Sequence, residues 1–176
     1  MHIAESSLKE SIFPVGKLPL SPKGLRWVLG LLKIPGIRYL GVRAVMQYLP
    51  RCENVEMSPG FKMFYGNIVA KNVSFCDVFF QDYADIVIGE GTSFSYQCMV
   101  LTASHDFEAD FQTVIAKPII IGKNVWISSR VIILGGARIG DGSVIAAGSV
   151  VAGEIPAGVL ACGVPARPIR KISRPS

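Results

Sequence analysis

A six-residue period limits what this chain can fold into more than any other feature. Ile121, Ile127, Ile133, Ile139, Ile145 and Val151 each open a hexapeptide: IGKNVW, ISSRVI, ILGGAR, IGDGSV, IAAGSV, VAGEIP. The fifth place of the first five is small or slender: Val125, Val131, Ala137, Ser143, Ser149. The same phase runs upstream through Ile88, Phe94 and Val100, with Thr92, Cys98 and Ser104 in fifth place. It is looser before that, at Val55 and Phe61 and at Val73 and Phe79. A helix would repeat near 3.6 residues and a half-buried strand would alternate, so neither explains the pattern. Glycine, abundant here, costs about 1 kcal/mol per site inside a helix. Period six suits a short strand followed by a turn, with one large aliphatic pointing inward per strand. Three such units close an eighteen-residue coil of triangular section. Each buried Ile or Val contributes roughly 1.5–3 kcal/mol. One coil cannot hide its own faces, so several must stack. The expected fold is mainly β, a parallel β-helix over residues 51–168.

The breaks in phase define the rest. Ile121 lies 21 residues after Val100. Read as one coil plus three residues, this places an extruded loop at about 104–118, SHDFEADFQTVIAKP. Residues 1–50 carry no such period and are expected to form a short helical extension. Ser21 and Pro22 suit a helix start, and Pro35-Gly36 divides two short helices. Leu25, Val28, Leu29 and Leu32 share one face, with Lys23, Arg26 and Lys33 outside it. Two roles fit: a cap over the first coil, which a solenoid needs for solubility, or a basic segment at residues 18–50 resting on an anionic membrane surface.

Charge and cysteines narrow the function. The net charge of +5 comes from the ends. Residues 1–51 hold eight basic and two acidic side chains, 167–176 four and none, and 52–166 six and eleven. No basic face interleaved with aromatics appears, so nucleic acid is not an expected partner. Cys52, Cys76, Cys98 and Cys162 show no metal-site spacing and read as reduced thiols of a cytoplasmic protein. The opening MHIAESSLKE lacks the apolar stretch of a signal peptide. No run of 18 apolar residues exists, so no transmembrane helix is expected.

SHDF, KPIIIGKNVWI, ILGGARIGDGSVIAAGSVV and GVPARPIRKI, in that order, resemble the hexapeptide-repeat sugar O-acetyltransferases of the galactoside, maltose and exopolysaccharide type. The resemblance covers roughly residues 55–172. It implies a left-handed β-helix, a homotrimer with sites between neighbouring subunits, acetyl-coenzyme A as co-substrate and no metal. His105 matches the family's general base. An imidazole suits that task, because a sugar hydroxyl needs a base that is unprotonated near neutral pH. Asp106 follows it and is expected to face solvent rather than orient the ring. Trp126, Ser129 and Ala147 match positions along the acetyl-donor arm, and Ser128 stands where relatives often have glycine. Arg167 and Arg170, beside Lys171 and Arg174, match the basic positions that meet the coenzyme's phosphates. Ala152 and Gly153 replace a common Thr-Lys pair. On the acceptor side the resemblance points to Asp77, Asp82 and Tyr83 with the rings of Phe79 and Phe80, while Phe75 occupies the place of an expected asparagine.

The expected activity is therefore O-acetylation of a sugar in a polysaccharide or glycolipid pathway. N-acetylation of an amino sugar and a non-catalytic binding β-helix are the alternatives. A zinc hydratase would need three histidines per metal, and His2 and His105 are the only two in the chain.

Overall fold

Stacks of short parallel strands carry out the six-residue period. The computed structural model describes residues 10–14, 24–34, 36, 38–109 and 111–173. The chain opens with β1 (Ser11–Pro14), α1 (Leu25–Leu31) and α2 (Arg38–Met46), then β2 (Cys52–Met57), β3 (Ile68–Phe75), β4 (Val78–Gln81) and β5 (Ile86–Ile88). Next come β6 (Ser93–Phe94), β7 (Cys98–Leu101), β8 (Ala103–His105), β9 (Thr113–Ala116), β10 (Ile119–Ile121), β11 (Trp126–Ile127) and β12 (Ile132–Leu134). The last are β13 (Arg138–Ile139), β14 (Val144–Ile145), β15 (Val150–Val151), β16 (Glu154–Ile155), β17 (Val159–Gly163) and β18 (Ala166–Lys171).

Parallel pairing sorts the coil strands onto three faces. The start of β3 with β5, β10, β13 and β16 forms the first face. The end of β3 with β6, β11, β14 and β17 forms the second. The third is β4, β7, β12 and β15. Ile121 lies beside Ile139, Ile127 beside Ile145 and Ile133 beside Val151, so one coil is eighteen residues. All six side chains are buried, as are the fifth-place residues Val125, Val131, Ala137, Ser143 and Ser149. The early coils are filled differently: Phe61, Phe75, Phe80 and Phe94 stack in the core at centroid distances of 5.1 to 6.0 Å. There the phase slips by one residue, and Phe80 rather than Phe79 points inward.

One corner shows why the sequence tolerates so tight a turn. Asn54, Asn72, Gly91, Asn124, Gly142 and Gly158 stand above one another between the first two faces, all with positive φ. Only glycine, and asparagine at modest cost, adopts that conformation routinely. Asn54 also donates to Asn72 at 2.7 Å up the column.

The register corrects the reading of the phase break. Ile88 pairs with Ile121 and Val100 with Ile133, 33 residues apart instead of eighteen, so fifteen residues are inserted. They are 103–117, closed at the root where Lys117 N–H donates to the Thr102 carbonyl at 2.8 Å. The insertion is a β-hairpin rather than a loop. β8 and β9 pair antiparallel, and β1 from the N-terminal segment joins as a third strand in the order β1-β9-β8. Ser104, expected inside the coil, is consequently exposed, and Thr102 is buried.

α1 and α2 cover the first coil. Leu32, Val45 and Leu49 are buried, with Val28, Leu29, Val42 and Met46 packed against the same core. These apolar side chains are turned inward, while Trp27, Ile34 and Leu40 stay exposed. Ser21, Pro22, Lys23, Pro35, His2 and Arg174 lie outside the described residues. No helix among the described residues is long and apolar enough to cross a membrane. At the far end β18 folds back antiparallel on β17 and buries Ala166.

Coil contacts are tight at the insertion. A Cβ on Gly135 would lie 2.6 Å from the Thr102 carbonyl oxygen, which is fixed by its bond from Lys117. Gly135→Ala is expected to cost about 1–3 kcal/mol, read from chemical denaturation, because backbone must move to make room.

Candidate active site

His105 ends β8, where the hairpin stands off the corner between the third and first faces. Its ring is exposed, and Nδ1 lies 2.8 Å from the Phe111 carbonyl oxygen across the hairpin. A carbonyl only accepts, so Nδ1 carries the proton and donates. Nε2 is left with its lone pair free, the tautomer a general base requires. Phe111 reaches that position with φ of 54°, unusual for a bulky side chain, and its own N–H donates to the Asp106 carbonyl. Asp106 does not orient the ring. Its Oδ1 accepts the N–H groups of Glu108 (3.2 Å) and Ala109 (3.1 Å), which shapes the hairpin turn. A groove of about 570 Å³ lies alongside, walled by Leu101, His105, Glu108, Lys117, Gly135 and Ala152 among others.

The expected donor-arm residues gather elsewhere, on the corner between the second and third faces. Ser129 and Ala147 line a hollow of about 600 Å³ with Tyr96, Gln97, Arg130 and Gly148. Ser129 Oγ and Ser95 Oγ are 2.8 Å apart, and Gly148 N–H donates to the Ser129 carbonyl. Gln97 and Arg130 both have positive φ, and Arg130 Nε donates to Gln97 Oε1 at 3.0 Å. Trp126 is 42% exposed on the second face just before this corner. The turn between β17 and β18 continues the stack, since Gly163 N–H donates to Ser149 Oγ. Arg167 and Arg170 follow it, exposed, their guanidinium groups on local carbonyls. The width of the third face therefore separates His105 from Ser129 within one chain.

The expected acceptor residues divide. Tyr83 lies one coil beneath the root of the His105 hairpin. It packs edge-on to Tyr65 and Phe64 at 5.0 and 6.0 Å. Burial, then the hydrogen bond it donates to Tyr83, pushes the Tyr65 phenol up from its ordinary range. Asp77 sits on the other corner, one coil beneath Gln97. Asp82 requires a correction. It is fully buried, and its carboxylate accepts four successive backbone N–H groups. Phe64 donates at 2.8 Å, Tyr65 at 3.1 Å, Gly66 at 2.5 Å and Asn67 at 2.8 Å. With its oxygens turned to that row of amides, the Asp82 side chain leaves no exposed atom for a sugar to meet. Phe80 is likewise lost to the core, and Phe75 too.

Other nucleophiles are muted. The four cysteines are unpaired. Burial pushes the Cys52 thiol to about 11 and raises that of Cys98, so both stay protonated near neutrality. Among the described residues no group of three His, Cys, Asp or Glu side chains is placed to hold a metal ion. No repeat or spacing marks Phe111 as the partner of His105, or pairs Lys117 with Glu10, whose charges meet at 3.7 Å beside the groove. The fifteen-residue length of the insertion, had its register been known, would have pointed to a hairpin.

Known proteins share the repeat and the fold. The family model "Bacterial transferase hexapeptide (six repeats)" matches residues 118–153. The chain is 37% identical over 152 residues to WcaF of Escherichia coli, a protein provisionally named as an acetyltransferase of colanic acid biosynthesis, covering 86% of this chain and 79% of WcaF. It is 43% identical over 116 residues to a Schizosaccharomyces pombe protein provisionally named as an acetyltransferase, where the match spans 64% of this chain and only 55% of the relative. A galactoside acetyltransferase solved in complex with coenzyme A superposes with a TM-score of 0.75 at 28% identity, over 86% of this chain and 84% of that one.

Proposed function

The chain belongs to the hexapeptide-repeat acetyltransferase family, and from that premise we propose that it moves an acetyl group from acetyl-coenzyme A to a sugar hydroxyl, with His105 as general base. The observation that carries this reading is the exposed imidazole clamped through Nδ1 to the Phe111 carbonyl, in the wall of a groove. Nε2 takes the hydroxyl proton as the sugar oxygen attacks the thioester carbonyl carbon. The tetrahedral intermediate then expels the coenzyme's sulfur, the C–S bond breaks, and the imidazolium returns its proton to the thiolate. The oxyanion formed in between is met by N–H or hydroxyl donors of the Ser129 corner. The coenzyme's phosphates fall to Arg167 and Arg170, with Arg130 a further cation on the same corner. Tyr83 and Asp77 are the acceptor contacts that survive the correction of Asp82.

Because the base and the donor hollow occupy different corners, a second copy is needed to bring one against the other. A homotrimer, in which each cleft takes His105 from one copy and Ser129 from the next, satisfies this. The reading is tested by release of free thiol from acetyl-coenzyme A across a panel of sugars and amino sugars. Release with neutral sugars and an ester product supports it. An amide product with amino sugars alone gives the role to N-acetylation, and no release with any acceptor leaves a binding protein.

Ala147 offers a separate check. It is exposed in the donor hollow, so a large side chain there obstructs the ligand without disturbing the core. Ala147→Trp is expected to raise KM for acetyl-coenzyme A at least about tenfold, a loss of about 1.4 kcal/mol of binding, with the melting temperature unchanged.

A further inference from the structure

We propose that the N-terminal strand β1 is a positioning element of the His105 site, holding the hairpin that carries the base. The inference rests on the functional reading above and adds to it a segment far from the repeat. Three observations support it.

The first is topology. β9 is the central strand of a three-stranded sheet, with β8 on one side and β1 on the other. Val114 is the common partner, opposite His105 on one edge and opposite Phe13 on the other. The second is stability. A two-stranded hairpin standing off a scaffold is marginal in water, and a third strand is what makes such a ribbon hold its shape. Within it Val114 and Ala116 are buried, although the hairpin lies outside the coil stack. The third is electrostatic. Lys117, the last inserted residue and a wall of the groove, meets Glu10 immediately before β1. That exposed pair adds little energy by itself, but it places the start of β1 at the groove.

The imidazole is held by a contact across the hairpin, from His105 to Phe111. If β9 frays, the two ends of that contact part, and a base displaced by about 1 Å can cost as much as a hundredfold in rate. The site's geometry thus depends on residues 10–14, which touch no substrate in this reading.

The test compares the full chain with a variant lacking residues 1–14 and with the double variant Ile12→Pro, Phe13→Pro. The prolines break the backbone pairing of β1 while leaving its length. Two readouts are taken. Amide hydrogen exchange is expected to rise at 103–116 in both variants and to stay unchanged at 119–151. The kcat for acetyl transfer is expected to fall at least about tenfold, with KM for acetyl-coenzyme A unchanged. Unchanged exchange at 103–116 overturns the proposal. So does raised exchange with full kcat. Exchange rising equally over the coils overturns it too, because β1 would then be a general stabiliser. If the intact chain transfers no acetyl group, the functional reading falls, and exchange alone decides whether β1 holds the hairpin.

Discussion

His105→Ala is expected to lower kcat for acetyl transfer by about 10²- to 10⁴-fold, the usual contribution of a positioned general base. KM for acetyl-coenzyme A should stay within about twofold, because in this reading the coenzyme is held by the Ser129 hollow and the arginines, while the base acts on the acceptor hydroxyl. The melting temperature should hardly move, since the ring is exposed and surface changes fall within about 0.5 kcal/mol. This combination separates a catalytic from a structural histidine. A variant with full activity removes the base from the mechanism. A variant that loses both activity and stability would show that the clamp to Phe111 matters to the fold instead.

Asp82→Ala is expected to do the reverse. It should destabilise the chain by about 3 to 5 kcal/mol, because a buried cluster loses the acceptor of four N–H donors at once, Gly66 buried and the other three half-buried. For a domain of this size that lowers the melting temperature by roughly 10 °C. Asp82→Asn should fall between the two, keeping one acceptor oxygen but adding an amide that needs acceptors of its own. Had Asp82 been an acceptor contact, both variants would melt like the parent and fail only in KM for the sugar. Thermal melting of the purified proteins distinguishes these outcomes directly.

Asp82 also shows where sequence reasoning stopped. Its position before His105 matches an acceptor aspartate of the family by spacing alone. Whether a carboxylate faces a sugar or a row of amides depends on how the neighbouring turn 64–67 is wound, which no spacing discloses. The repeat, by contrast, was legible because each Ile or Val of the late coils has one environment, repeated every six residues. In the early coils four phenylalanines fill the same space. With larger rings, one residue of slip is tolerated, and Phe79 and Phe80 exchange the roles the phase gave them. The phase break marks the insertion but not its length, since a register jump of fifteen residues and a loop with a shifted phase leave the same pattern of apolar residues. β1 was illegible altogether. Four residues, SIFP, carry no period, and their partner lies about a hundred positions away.

His105, Trp126, Ser129 and Ala147 are all exposed or half-exposed, at or beside corners. The sequence could not say that they occupy two different edges of the prism. Hexapeptide phase fixes which residues point in, but corners are equivalent until the faces are counted from a known origin.

The two ends of the column have a consequence for its size. Each rung presents the same parallel edge, so nothing inside the repeat says where winding should stop. Two helices close one end and the antiparallel return of β18 closes the other. Length is therefore adjustable independently of the chemistry: a whole turn of eighteen residues can be gained or lost between the lids, and the edges bearing the reactive groups keep their direction.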